Sequence, residues 1–131
     1  MCHTQELVLE NNNIGDAGLT ALAKAVESGA LAQLTELDLG INRIGDAGLT
    51  ALAEAIKPTA DNASGALASL KELDLCGNDI GDDGIKALAD ACASGALAPG
   101  AEVYLFDNSA TETGKQAMRD AAKARGLSVY F

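Results

Sequence analysis

The 131-residue chain has no Trp, two Tyr, two Phe, two Pro, three Cys and a single His. His3 alone provides no partners for a Ser/His/Asp or Cys/His catalytic arrangement. The three thiols, Cys2, Cys76 and Cys92, are odd in number and lack CxxC spacing, so neither a disulfide framework nor a zinc site is expected. Apolar runs fall short of the roughly 18 residues that a membrane span needs, and no signal peptide is evident. We therefore expect neither catalytic residues, nor a metal or other cofactor, nor membrane insertion.

Basic residues are also scarce, with 9 Lys and Arg against 19 Asp and Glu and a formal net charge of −10. This acidity argues against nucleic acid or an anionic membrane surface as the main partner. Unpaired thiols fit a reducing compartment, so the expected location is cytoplasmic.

Internal repetition is the most prominent positive feature of the chain. Three long copies read LVLENNNIGDAGL at 7–19, LDLGINRIGDAGL at 37–49 and LDLCGNDIGDDGI at 73–85, and a shorter one reads VYLFDN at 103–108. The copies share an asparagine, found at Asn12, Asn42, Asn78 and Asn108. Three long copies that agree this closely predict a repeat architecture with one structural unit per copy.

Each copy changes its hydrophobic period halfway along. Leu37 and Leu39 alternate with polar residues, as in a strand. Leu49, Leu52 and Ile56 then recur at helical spacing. A strand joined to the next strand through a helix predicts parallel strands with helices on one side.

Helix ends are marked by short recurring motifs. Asp16, Asp46 and Asp82 lie at the predicted N-termini, where an acceptor or a negative charge caps a helix. A Ser-Gly-Ala-Leu-Ala segment at 28–32, 64–68 and 94–98 predicts three helix C-termini, with Gly in the left-handed conformation. Six additional residues around 57–62 predict a longer loop in the second copy.

The LxxLxLxxNxIG pattern, followed by an Ala-rich helix, resembles leucine-rich repeats of the ribonuclease-inhibitor type over about residues 4–126. The resemblance implies an α/β fold, a short right-handed solenoid with a parallel β-sheet on its concave face and helices on its convex face. It implies a single domain, 1–131, with repeats at about 4–33, 34–69, 70–99 and 100–126 and a terminal strand at 127–131. It also implies that the four shared asparagines are structural, since an amide can satisfy turning backbone groups.

The two ends of the array depart from the pattern. Thr4 stands where the other copies carry Leu34 and Leu70, so we expect an open first strand edge that permits end-to-end self-association. In the fourth helix Lys115 and Arg119 replace core positions, which predicts a polar cap. The expected buried remainder of that helix is Ala117, Met118, Ala121 and Ala122.

Function is expected at the strand positions that point away from the core. Acidic residues occupy most of them, and two aromatic residues lie in the last copy. We predict that the concave face binds a protein partner, with a basic one favoured by charge. The predicted site comprises Glu6, Glu10, Glu36, Asp38, Glu72, Asp74, Glu102, Tyr104, Phe106 and Asp107.

Several alternatives remain open at this point. The acidic face could simply keep an open sheet solvated, and Tyr104 and Phe106 could pack on the C-terminal segment. Some relatives with this repeat type activate small GTPases, so the chain could have a regulatory accessory role. The residue that would favour this role is Arg43, the one basic residue in the loops that follow the shared asparagines. The chain could also be a purely structural fragment of a longer repeat array.

Overall fold

Strands and helices alternate along the chain, as the change of hydrophobic period predicts. The computed structural model describes residues 5–60 and 65–131. The elements are β1 (Gln5–Val8), α1 (Gly15–Glu27), β2 (Leu34–Asp38), α2 (Asp46–Ile56), β3 (Glu72–Asp74), α3 (Asp82–Ala93), β4 (Glu102–Tyr104), α4 (Glu112–Arg125) and β5 (Ser128–Tyr130). We call β1 with α1 unit 1, β2 with α2 unit 2, β3 with α3 unit 3, and β4 with α4 unit 4.

All neighbouring strands pair in parallel, in the order β1-β2-β3-β4-β5. Each helix packs against the helix of the next unit. Because a helix is about 10 Å wide and strands are about 4.8 Å apart, the helical layer is the wider one and the sheet lies on the concave side. The predicted right-handed α/β solenoid is confirmed. Within the described ranges, no helix is both long and apolar enough to cross a membrane.

Each unit contributes one apolar layer between the sheet and the helices. The fully buried residues of unit 2 include Leu37, Leu39, Ile44, Leu49 and Leu52. In unit 1 the counterpart of Leu49, Leu19, is also fully buried. The other four counterparts are only half-buried: Leu7, Leu9, Ile14 and Leu22. The first layer is therefore more open than the second. Thr4, on which the prediction of an open edge was based, lies outside the described residues.

The shared asparagines form hydrogen bonds between units. Asn42 Oδ1 accepts from the backbone N–H groups of Asn12 and Ile14, at 2.8 and 3.3 Å. Its Nδ2 donates to the carbonyl oxygens of Leu9 and Gly40, at 2.8 and 3.0 Å. One buried side chain thus satisfies backbone groups in two units.

The same arrangement recurs further along the solenoid. Asn78 Oδ1 accepts from the N–H groups of Asn42 and Ile44, at 2.9 and 3.0 Å. Asn108 Oδ1 accepts from Ile80 at 3.1 Å. Each of these asparagines reaches back to the preceding unit, so the loops of successive units are held in a fixed relation.

Replacing Asn42 with Ala should lower the free energy of unfolding by about 1–3 kcal/mol, because buried backbone groups lose their partners. Asn12 is the matched control, since it is exposed and its Nδ2 donates to Leu9 and Glu10 in its own unit. Asn12→Ala should change stability by less than about 0.5 kcal/mol. Urea denaturation of both variants measures the difference, and equal losses would contradict a role for the inter-unit bonds.

The aspartates lie in the first turns of their own helices, as predicted, but their hydrogen bonds cap the helix of the following unit. Asp46 Oδ1 accepts from the N–H groups of Gly81 and Gly84, at 2.7 and 3.0 Å, at the start of α3. Asp16 Oδ1 binds Gly45 and Gly48 in the same way at 2.8 and 2.9 Å. Each aspartate therefore joins its unit to the next one.

Close approach explains the glycine three residues after the N-caps of α2 and α3. A Cβ atom on Gly84 would lie 2.7 Å from Asp46 Oδ1 and 3.1 Å from Asp46 Cα. Gly48 meets Asp16 at similar distances. These glycines are required by contact between helices, and their φ angles are not in the left-handed region.

The third aspartate caps the last helix through a different residue. Asp82 Oδ1 accepts from the backbone N–H of Thr111 at 2.7 Å, and Oδ2 accepts from its hydroxyl at 2.6 Å. The hydroxyl and backbone hydrogen bonds from Thr111 lower the pKa of Asp82 below its ordinary value. The charged carboxylate is thus the form that holds α4 against α3.

Asp46→Ala should destabilise the protein by about 0.5–2 kcal/mol, the usual loss for a helix cap. Asp46→Asn keeps an acceptor oxygen and should retain most of the stability. Asp83→Ala is a further control, because Asp83 is an exposed residue in the first turn of the same helix α3. Thermal unfolding compares the melting temperatures of the three variants. An equal loss for Asp46→Ala and Asp83→Ala would show that the negative charge near the start of α3 is stabilising and that the hydrogen bonds of Asp46 are not.

The Ser-Gly-Ala-Leu-Ala motif ends two helices and not the three expected. Gly29 and Gly95 follow α1 and α3 with φ angles of 88° and 94°. In unit 2 the helix already ends at Ile56, because Lys57 precedes Pro58 and takes an extended conformation. Gly65 keeps a φ angle of 88°, so the motif retains its turn after the inserted residues. Positions 61–62 of the predicted loop lie outside the described residues.

The fourth helix covers the last apolar layer with a partly charged face. Lys115 Nζ and Arg119 Cζ lie 5.8 and 5.2 Å from the centre of the Phe131 ring, in reach of a cation–π interaction. Met118 is fully buried as expected. Ala117 is only half-buried, unlike the prediction. Phe131, together with the charged face of α4, covers this end of the core.

Candidate functional site

Three columns of side chains cross the concave face, and the strand register defines the first two. The first column is Glu6, Glu36, Glu72, Glu102 and Ser128. The second is Val8, Asp38, Asp74, Tyr104 and Tyr130. Backbone hydrogen bonds continue the pairing beyond the strands and align the third, Glu10, Gly40, Cys76 and Phe106. The columns place acidic residues of units 2 and 3 at the centre of the face, which we call the acidic centre: Glu36, Asp38, Glu72 and Asp74.

Desolvation and repulsion within the acidic centre change the titration of Glu36. Desolvation, the charge of Glu72 and a hydrogen bond with Glu72 raise the pKa of Glu36 above its ordinary value of 4.5, and Asp38 and Asp74 add to the shift. Like charges on adjacent strands oppose one another's ionisation. The folded sheet therefore carries a cost at neutral pH that a nearby cation would relieve.

Two of the four carboxylates also have a local role. Asp38 Oδ1 accepts from the backbone N–H of Gly40 at 2.9 Å, and Asp74 Oδ1 accepts from that of Cys76 at 2.9 Å. Each aspartate thereby orders the backbone just past its own strand. An amide oxygen in the same position would preserve these bonds, which makes Asn the appropriate neutral substitute.

Glu36→Gln should raise the melting temperature at pH 7, because it removes a charge that the folded state disfavours. A raised folded-state pKa means that the wild-type penalty exists above that pKa and disappears as pH falls toward the unfolded value near 4.5. The difference between variant and wild type should therefore shrink between pH 7 and about pH 4. Calorimetry across this range tests it, with Glu10→Gln as control, and a lower melting temperature at pH 7 would contradict the repulsion.

An aromatic pair borders the acidic centre on the side of unit 4. The rings of Tyr104 and Tyr130 stack with centroids 4.9 Å apart and planes inclined by 14°. The Tyr104 hydroxyl donates to Glu102 Oε2 at 2.6 Å, which raises the pKa of Tyr104 to about 12. Tyr104 thus packs on the C-terminal strand, and Tyr130, 39% exposed, supplies the accessible ring surface.

Tyr130 was absent from the predicted site, although it lies in register with Tyr104. The signal was present in the sequence, because the second column can be extended into a fifth strand at the same alternation. Phe106 behaves differently from Tyr104. It stands in the third column and remains 44% exposed.

The other predicted residues lie at the margins of the face. Glu6 and Glu10 are exposed on unit 1, and Asp107 is exposed on the loop after β4. Asp107 has a φ angle of 58°. It also lines a cavity of about 40 Å³ near Lys115 and Phe131, at the C-terminal end of the solenoid.

The thiol on the concave face lies in a setting that suppresses its reactivity. Cys76 is half-buried in the third column between Gly40 and Phe106. Desolvation and the neighbouring Asp74 raise its pKa to about 11, so the thiolate is scarce at neutral pH. Across residues 5–60 and 65–131, no group of three His, Cys, Asp or Glu side chains is arranged to hold a metal ion. Among the described residues, the concave face presents mainly carboxylates and aromatic rings.

Comparisons with known proteins agree with this architecture. A family model described as leucine-rich repeat matches residues 2–23, 32–53 and 66–89, just over half of the chain. Among solved structures, the actin-binding site 2 of leiomodin-1 is similar, with a TM-score of 0.75 and 19% sequence identity over 97% of this chain and 70% of that one. No curated protein matches the chain. At this identity the structural likeness supports the fold.

Proposed function

The chain belongs to the leucine-rich repeat family, and we propose that it is a non-catalytic protein-interaction module that binds a basic partner through its concave face. The observation that carries this proposal is the acidic centre, where four carboxylates lie on two adjacent strands. Desolvation and the charges of the other three carboxylates raise the pKa of Glu36. A partner's Lys or Arg side chains would remove that repulsion. Tyr130 and Phe106, exposed beside the centre, provide aromatic contact area of the kind that anchors interfaces.

We further assign the repeats to the ribonuclease-inhibitor type, within one domain spanning 1–131. Two features support this subclass: the long stretch of chain between one shared asparagine and the next, and the full α-helix in each unit. The predicted repeats at about 4–33, 34–69, 70–99 and 100–126 each contain one strand and one helix. A reducing compartment, the cytoplasm, fits the free thiols of Cys76 and Cys92.

Unit 1 supports a second mode of association, end to end with another copy. Four apolar residues of this unit, Leu7, Leu9, Ile14 and Leu22, are half-buried, whereas their counterparts in unit 2 are fully buried. Asn12 lies at the start of the asparagine series and is exposed. Burial of this layer against another molecule would complete the packing that units 2 and 3 achieve within the chain.

A random peptide library selected on the immobilised protein tests the main proposal and requires no identified partner. The enriched peptides should be rich in Lys and Arg. Their affinity should fall at least about tenfold for Glu36→Gln/Glu72→Gln/Asp74→Asn, and should also fall as salt rises. The triple variant keeps the backbone acceptor at position 74, so its fold should be preserved.

The matched control removes the same number of charges from the convex side, in Glu27→Gln/Asp83→Asn/Asp90→Asn. All three residues are exposed and belong to helices. Affinity for this control should stay within about twofold of the wild type, since the charges lie away from the concave face. Enrichment without basic residues, or an equal loss in both triple variants, would contradict the proposal. Actin is a useful full-length protein to include, because the similar leiomodin-1 domain is named an actin-binding site.

A further inference from the structure

We infer that the concave face binds a partner segment in which one bulky apolar side chain is flanked by basic residues, and that Ile41 and Phe106 hold the apolar side chain. This inference rests on the proposed function and specifies the chemistry of the partner. The observations that support it concern the loops just past the carboxyl ends of the strands. Two large apolar side chains, Ile41 of unit 2 and Phe106 of unit 4, are exposed there.

Ile41 has an unfavourable backbone conformation. Its φ angle is 53°, in the left-handed region that β-branched residues rarely adopt. The equivalent positions in the other units are Asn11, Gly77 and Asp107, residue types that tolerate this region. The loop imposes the conformation, since Ile41 N–H donates to the Cys76 carbonyl and the adjacent Asn42 is held by Asn78.

Burial does not account for Ile41, because 52% of the residue is exposed to solvent. A strained residue that is also half exposed adds little to folding stability. Strain of this kind is retained where a function depends on the side chain. Contact with a partner would bury the exposed part of Ile41 and supply the missing stabilisation.

Ile41 belongs to a strip of small and apolar residues on neighbouring units, which we call the apolar rim: Ile41, Gly77, Cys76 and Phe106. Ile41 leans over unit 3, where its Cγ1 lies 3.0 Å from the position that a Cβ on Gly77 would take. Gly77 N–H in turn donates to the Phe106 carbonyl at 2.8 Å. The absence of a side chain at Gly77 lets the rim extend across three units.

The charge beside the apolar rim determines which partner it fits. Gly40 stands in the same column as Cys76 and Phe106. A Cβ placed on Gly40 would lie 3.2 Å from Asp38 Oδ1 and 3.7 Å from Asp74 Oδ1. The acidic centre therefore adjoins the rim directly. In the loop beyond, one basic and one acidic residue, Arg43 and Asp79, line the same depression as Ile41 and Gly77. An apolar side chain bound at the rim would place neighbouring Lys or Arg residues over the carboxylates.

The peptides enriched from the library test this inference. They should share one Leu, Ile, Met, Phe or Trp within a few residues of two or more basic residues. Ile41→Asn introduces the residue found at the equivalent position of unit 1. This variant should bind the enriched peptides with an affinity at least about tenfold lower than that of the wild type. Its melting temperature should stay within about 3 °C of the wild type, since released strain offsets lost contact. Phe106→Ser should weaken binding similarly.

Val8→Ser is the matched control, because Val8 is exposed on the same face of unit 1 but outside the apolar rim. It should leave peptide affinity within twofold. Basic peptides that need the acidic centre but bind Ile41→Asn normally would overturn the inference and leave the proposed function standing. A marked loss of melting temperature in Ile41→Asn would assign Ile41 to stability and also overturn it. Sedimentation that shows a wild-type dimer abolished by Ile41→Asn would assign the rim to self-association instead.

Discussion

The structure depends on side chains of one unit that accept hydrogen bonds from the backbone of a neighbouring unit. A turning loop leaves backbone N–H groups that its own residues do not satisfy, and burial makes that cost severe. Asn42 reaches back from unit 2 to the loop of unit 1, while Asp46 reaches forward to the helix of unit 3. Unit 2 therefore depends on both neighbours, because Asn78 of unit 3 holds its loop and Asp16 of unit 1 caps its helix. This explains why units of one strand and one helix, too small for an independent core, form a single stack.

The N-terminus of α1 shows what the aspartate contributes. Among the described residues, no aspartate of another unit caps α1. Its N-cap Ile14 is in the right-handed helical region, and Gly15 takes a φ angle of 66°. In α2 and α3 the N-caps are Gly45 and Gly81, both extended, with φ angles of −110° and −102°. The same Ile-Gly-Asp sequence thus takes two conformations, and the difference coincides with the aspartate from the preceding unit.

The sequence predicts the fold well because burial recurs with a fixed period. Leu37, Leu39 and Ile44 could be placed in the core from their spacing alone. The destination of Asp46 could not be read in this way, since spacing places an acceptor near a helix start without telling which helix it reaches. The early end of α2 follows from Pro58. The prediction instead relied on the repeated motif at 64–68 and therefore placed the end of this helix too late.

The candidate site is less predictable because its positions face away from the core, so packing does not constrain their identity. The alignment of the repeats nevertheless predicted that Glu36 lies beside Glu72 and Asp38 beside Asp74, as the strand register shows. It did not reveal that Tyr104 would stack on Tyr130, since that depends on a strand after the last helix. Nor does register report strain, because only the φ angle of Ile41 separates it from an ordinary apolar residue. In a solenoid whose loops are fixed by buried asparagines, a residue that fits its loop poorly is tolerated because the neighbouring units hold the backbone. The repeated framework can therefore carry side chains chosen for a partner at some cost to local stability.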